Sequence, residues 1–129
     1  MNKIEKLKCY LSIIFFAFFG GISRYYLGKC WHSNGTLIAN LTGCFLLSLL
    51  TYYIIEKEFL SNWINVGLGT GFIGAYTTFS SFTMDFVKLI NTQQIIHAIL
   101  YLSISIIGGF ICVVLGYLLA VKLGKKATK

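Results

Sequence analysis

Four apolar stretches, at about residues 10–28, 35–55, 63–90 and 95–121, take up most of the 129-residue sequence. Each approaches the roughly 20 residues that an α-helix needs to cross the hydrocarbon layer of a bilayer. With 57% hydrophobic and 12% charged residues, the chain carries more apolar surface than a soluble domain of its size can bury. The expected fold is an all-α integral membrane protein with four transmembrane helices, forming one domain over residues 1–129. Four helices enclose little space by themselves, which points to an oligomer.

The third stretch departs from a plain span. In a bilayer every backbone N–H and C=O needs a partner within the protein, so irregular backbone persists only where it is buried or lines a cavity. Gly67, Gly69, Gly71 and Gly74 weaken the helix, and Thr77, Thr78, Ser80, Ser81 and Thr83 follow as a run of hydroxyls. A break is expected near Gly74–Thr78. Broken membrane helices hold Na⁺ with freed carbonyls, while half-helix N-termini face anions. Gly67, Gly71 and Gly74 also form a stripe where another helix can approach closely.

Beyond the break, Phe79 and Phe82 lie three apart on one helical face, and Ser81 and Asp85 lie four apart on an adjacent one. The rings are read either as packing or as lining. An aromatic ring has a positive edge, and ring edges with N–H and O–H donors attract a small hard anion weakly enough to release it. Asp85 is the only carboxylate inside the four stretches. It is read as an ion-pair partner of Lys88 or as a gating or proton-handling group.

In the second stretch Thr36, Asn40 and Gly43 share a face. The amide of Asn40 needs partners that lipid does not supply. It serves either as interhelical glue, typically about 0.6 kcal/mol, or as an N–H donor to an anion. In the first stretch Gly21 and Gly28 leave room for a neighbouring helix. Arg24, close by, is a snorkelling anchor, a fixed positive charge at the mouth of an anion path, or a partner for a carboxylate there. Tyr101 in the fourth stretch packs or adds a hydroxyl to that path.

The remaining features exclude more than they assign. The start of the chain imitates a secretory signal but lacks a small-residue cleavage site, so it is read as a retained first span. Cys9, Cys30, Cys44 and Cys112 are scattered without a C-x-x-C pair, which disfavours metal and redox roles. The net charge of +7 comes from lysines at segment ends, so no nucleic acid partner is expected. If the stretches cross in turn, eight of the 11 basic residues (Lys3, Lys6, Lys8, Lys57, Lys122, Lys125, Lys126 and Lys129) share the side of both termini. The positive-inside rule then puts the termini in the cytoplasm. No catalytic or phosphate-binding constellation is present, so an enzyme or a nucleotide-driven pump is not expected. A small proton-coupled multidrug exporter has a similar size but needs a carboxylate deep in the membrane, and Asp85 lies near a segment end. An accessory membrane subunit without transport is the other alternative, and it leaves Asn40 and the hydroxyl run without a purpose.

Three strings, one per stretch and in order, carry a resemblance: Gly20-Gly21-x-x-Arg24-Tyr25, then Gly35-Thr36-Leu37-x-x-Asn40-x-x-Gly43-x-Phe45, then Gly74-x-x-Thr77-Thr78-Phe79-Ser80-Ser81-Phe82. Together they resemble the Fluc family of bacterial fluoride channels over essentially the whole chain. The resemblance implies a passive fluoride channel of the bacterial plasma membrane, built as an antiparallel dual-topology dimer with two fluoride paths along the subunit boundary. It implies that Asn40, Phe79 and Phe82 meet fluoride and that Thr36, Ser81, Tyr101 and Asp85 extend the path. Asp85 stands as a shorter substitute for the usual glutamate. The resemblance further implies Arg24 near the vestibule, and a structural Na⁺ at the dimer centre held by the backbone carbonyls of Gly74 and Thr77. Ala75 replaces a second glycine common there. The lysine bias disfavours insertion in both orientations, which leaves two partners open: a second copy of this chain, or a homologous subunit in a heterodimer.

Overall fold

The computed structural model describes residues 2–55 and 58–126, and among these every regular element is helical. Helix α1 spans Lys3–Leu49 and continues as a π-helical turn over Leu50–Ile55. The short α2, Asn62–Val66, leads through a π-helical stretch, Gly67–Ile73, into the single turn α3, Gly74–Tyr76. Two extended residues separate α3 from α4, Phe79–Asn91, and α5 covers Ile95–Lys126.

Helix α1 is two arms, residues 3–31 and 33–49, joined at His32, whose φ of 49° and ψ of −126° are not helical. The expected connector between the first two stretches is reduced to that residue. The arms fold back so closely that a Cβ on Gly35 would strike the Leu27 carbonyl. Left-handed residues recur in the next two connectors, at Glu58 (φ 54°) and Gln93 (φ 57°). All three are exposed.

The stretch Gly67–Ile73 packs on the first arm, with Gly67 against Ser12 and Phe16 and Gly71 against the Ile13 backbone. Gly74, the third member of the expected stripe, meets no other helix and is exposed. Helix α5 packs on the second arm, where Ser48 Oγ donates to the Val113 carbonyl at 2.8 Å. The most completely covered residues are small (Ala39, Ala98 and Ala120), with Leu50, Ile73, Tyr76 and Tyr101 also buried, while Ile96, Ile106, Ile107 and Phe110 on α5 point outward. Small residues inside and large apolar residues outside are the arrangement that lipid, rather than water, favours.

Two helical stretches, Lys3–Ile55 with its turn at His32 and Ile95–Gly124, are long and apolar enough to cross a membrane. Of the basic residues that bear on orientation, Lys57 and Lys129 lie outside the described residues, as do the side chains of Lys125 and Lys126.

Candidate functional site

The site is built around the interruption between α3 and α4. Thr77 (φ −83°, ψ 156°) and Thr78 (φ −153°, ψ 126°) are extended, so the helical ladder stops for two residues. A helix end leaves its last carbonyls and first N–H groups without partners. Here side chains take over several of them. Asn40 Nδ2 donates to the Thr78 carbonyl at 2.9 Å, and Thr78 N–H donates to Asn40 Oδ1 at 2.8 Å. The carboxamide thus behaves like a strand neighbour, holding both backbone groups of one residue. Thr78 Oγ1 caps α4 by accepting from Ser81 N–H at 3.2 Å, and it lies 3.2 Å from Ser80 Oγ. Thr77 Oγ1 and Thr77 N–H both donate to the Ile73 carbonyl, each at 3.0 Å.

Close packing makes the clamp possible. Gly43 faces the methyl group of Thr77 with no room for a Cβ, so the second arm of α1 lies directly on the break. Nearby, the Thr42 hydroxyl and Tyr76 Oη are 2.9 Å apart. Asn40, Gly43, Gly74, Thr77, Thr78 and Phe79 line one open groove of about 430 Å³.

An aromatic file runs along α4 from the break. The ring centroids of Phe79 and Phe82 are 6.0 Å apart and tilted by 36°. Phe82 stacks on Tyr101 of α5 at 5.3 Å and on Phe86 at 6.5 Å. Tyr101 is buried and Phe82 half-buried, but Phe79 is 79% exposed. Tyr101 Oη donates to Asp85 Oδ2 at 3.3 Å. No ion pair joins Asp85 to Lys88, so the carboxylate is turned toward the aromatic file rather than along its own helix.

On the other side of the break a cleft of about 440 Å³ is lined by Gly21, Arg24, Tyr25, Gly28, Lys29, Thr36 and Ser81. It holds two cations and two aliphatic hydroxyls and no carboxylate. Gly21 and Gly28 admit no neighbouring helix; nothing lies within 4 Å of where their Cβ atoms would sit, and they open the cleft instead. The expected residues therefore fall into three adjoining groups. Arg24, Thr36 and Ser81 share the cleft, Asn40, Gly74, Thr77 and Phe79 share the groove, and Phe82, Tyr101 and Asp85 are linked by stacking and a hydrogen bond. Such a series offers positive charge, then hydroxyl and amide groups, then aromatic rings.

A model of the family described as CrcB-like protein, Camphor Resistance (CrcB), matches residues 11–117. The chain belongs to the CrcB-like family. It is 49% identical over 108 residues to a protein of Lactobacillus delbrueckii subsp. bulgaricus named fluoride-specific ion channel FluC 1, with 84% of each chain covered. It is 46% identical to fluoride-specific ion channel FluC 2 of Ligilactobacillus salivarius, over 93% of this chain and 91% of that one. It is 45% identical to fluoride-specific ion channel FluC 1 of Lactobacillus johnsonii, over 98% and 96%. A membrane protein is what this membership and the apolar helices describe.

For this CrcB-like chain, the residue pattern does not single out Lys29. Lys29 reads as an interfacial lysine, whereas it lines the cleft with Arg24 of its own arm, Thr36 of the second arm and Ser81 of α4. Thr78 is expected in the break with a carbonyl in need of a donor, and it is both the cap of α4 and the residue that Asn40 grips. The signal was present: a half-buried amide in one stretch and a helix break in another each lack partners that the other supplies.

Proposed function

We propose that the protein is a passive, fluoride-selective channel through which cytoplasmic fluoride leaves the cell, reducing its toxicity. The observation that carries this reading is the clamp of Asn40 on Thr78, because it fixes a helix break beside ring edges, hydroxyls and an unpaired basic cleft. The names of the relatives point the same way. Fluoride enters cells as HF and is trapped as the anion at neutral pH, so a passive path suffices for its removal.

In this reading Arg24 draws the anion into the cleft, and Thr36 and Ser81 begin to replace its water shell. The amide N–H of Asn40 not given to Thr78 donates at the break. The edges of Phe79 and Phe82 carry the ion on, with Tyr101 and Asp85 beyond them. Weak, distributed donors hold the ion without trapping it.

The chain spans the bacterial plasma membrane four times, with both termini in the cytoplasm, and works as an antiparallel dimer. The open groove at the break and the exposure of Phe79 support a second subunit as the missing wall. The lysine bias supports a homologous subunit as partner over a second copy of this chain. A structural Na⁺ fits the donor set at the centre. In an unbroken helix Thr78 N–H would bond the Gly74 carbonyl and Ser81 N–H the Thr77 carbonyl. Both N–H groups go elsewhere, leaving those two carbonyls for a hard cation, which would bind the subunits' carbonyl ends together.

Expression of this chain alone in a fluoride-sensitive bacterium tests the function and the partner together. Fluoride resistance with the chain alone supports the homodimer, and resistance only with a homologous subunit supports the heterodimer. Resistance in neither case, or resistance untouched by Phe82→Ile, would refute the channel reading.

A further inference from the structure

The clamp has an effect on the backbone that is separate from any contact with an anion. The Asn40 carboxamide takes the Thr78 N–H at 2.8 Å, and this N–H is the group that would otherwise close the helical bond onto Gly74. The same side chain takes one of the two lone pairs of the Thr78 carbonyl at 2.9 Å. The Ile73 carbonyl is taken by Thr77 N–H and Thr77 Oγ1. The carbonyls of residues 73, 74 and 78 are thus sorted: two already accept hydrogen bonds, and Gly74, which is exposed and borders the groove with Thr77, is left open.

We propose that Asn40 is a positioning residue for a cation site: by holding Thr78 N–H it keeps the Gly74 carbonyl free, and so couples the anion route to cation binding at the break. This rests on the proposed reading that the freed carbonyls hold Na⁺. It adds that the amide of Asn40 works on two ions at once. One N–H faces the anion, while the amide oxygen prepares the cation's ligand without touching the cation. Without Asn40, Thr78 N–H has two choices in a low-dielectric setting: to remain unpaired, which is costly, or to close onto Gly74. The second consumes the ligand.

The test reads Na⁺ binding separately from fluoride flux. Purified protein in detergent is unfolded by heat while Na⁺ is stepped against N-methylglucamine, and each variant is also assayed for fluoride efflux from liposomes. The wild-type midpoint should rise with Na⁺, and Asn40→Ala should need about ten-fold more Na⁺ for the same rise. Asn40→Asp keeps an oxygen to accept from Thr78 N–H. It should stay within about two-fold of the wild-type Na⁺ dependence while losing fluoride efflux. Phe82→Ile should lose efflux with its Na⁺ dependence intact. If Asn40→Ala fails to assemble, Asn40→Asp decides: a kept Na⁺ response upholds the coupling and a lost one overturns it. A wild-type protein indifferent to Na⁺ overturns the cation site and the coupling with it. A wild-type response shared in full by Asn40→Ala overturns the coupling alone.

Discussion

The chain is interrupted in two different ways. The connectors at His32, Glu58 and Gln93 contain left-handed residues, all exposed. At Thr77–Thr78 the backbone uses two extended residues with negative φ, and side chains from three positions gather round them. Water explains the difference. Where solvent reaches the turn, freed backbone groups bond to it, and the sole cost is the strain of a left-handed side chain, roughly 1–3 kcal/mol. At the buried Thr78 the freed groups have partners built into the fold instead. Asn40, Thr77 and Thr78 supply those partners.

Substitutions at the two kinds of interruption should therefore separate cleanly. Asn40→Leu should cut fluoride flux by on the order of 100-fold, the scale of losing one directed donor to an anion. His32→Gly, by contrast, should leave flux unchanged and raise the unfolding midpoint, because glycine takes that φ without strain. Equal flux losses in the two variants, measured with a fluoride electrode, would erase the distinction.

Packing at the interior break comes next. Gly43→Val pushes a branched side chain into the Thr77 methyl and should cost about 1–3 kcal/mol of stability, read by denaturant or thermal unfolding. The same change at Gly21, which faces open space, should cost far less.

Thr78→Val keeps the shape of the side chain but removes the α4 cap, and should cost about 1 kcal/mol. Hydrogen exchange should then quicken at Ser81, whose N–H loses its acceptor, before it quickens on α5.

The smallest effect belongs to the cleft. Lys29→Gln should lower fluoride flux by about two-fold at low ionic strength and by nothing measurable near 1 M salt, where the Debye length is ~3 Å. A salt-independent loss would mean that Lys29 does something other than attract anions.

Much of this was legible in the residues, and the gaps have physical causes. The break announced itself because Thr77-Thr78 follows a glycine series inside an apolar stretch, and helix propensity is local information. Asn40 stood out because an amide in lipid must have a partner. The identity of that partner was hidden, since Thr78 lies 38 residues away and offers its backbone, which no side-chain pattern encodes. Lys29 was hidden for a related reason: its place in the cleft depends on the turn at His32, and a histidine at φ 49° has no sequence signature. Asp85 and Lys88 illustrate the reverse case. Their spacing suits an ion pair, yet the carboxylate accepts from Tyr101, sixteen positions along the chain, where α5 packs on α4.

The most direct test of a fluoride path at the interior break is efflux from liposomes holding the purified protein, loaded in turn with fluoride and with chloride. The protein is reconstituted either alone or together with a homologous subunit. Rapid fluoride release, little chloride release, and loss of fluoride release in Asn40→Leu are the expected result. Chloride release as fast as fluoride, or fluoride release that Asn40→Leu leaves intact, would contradict it.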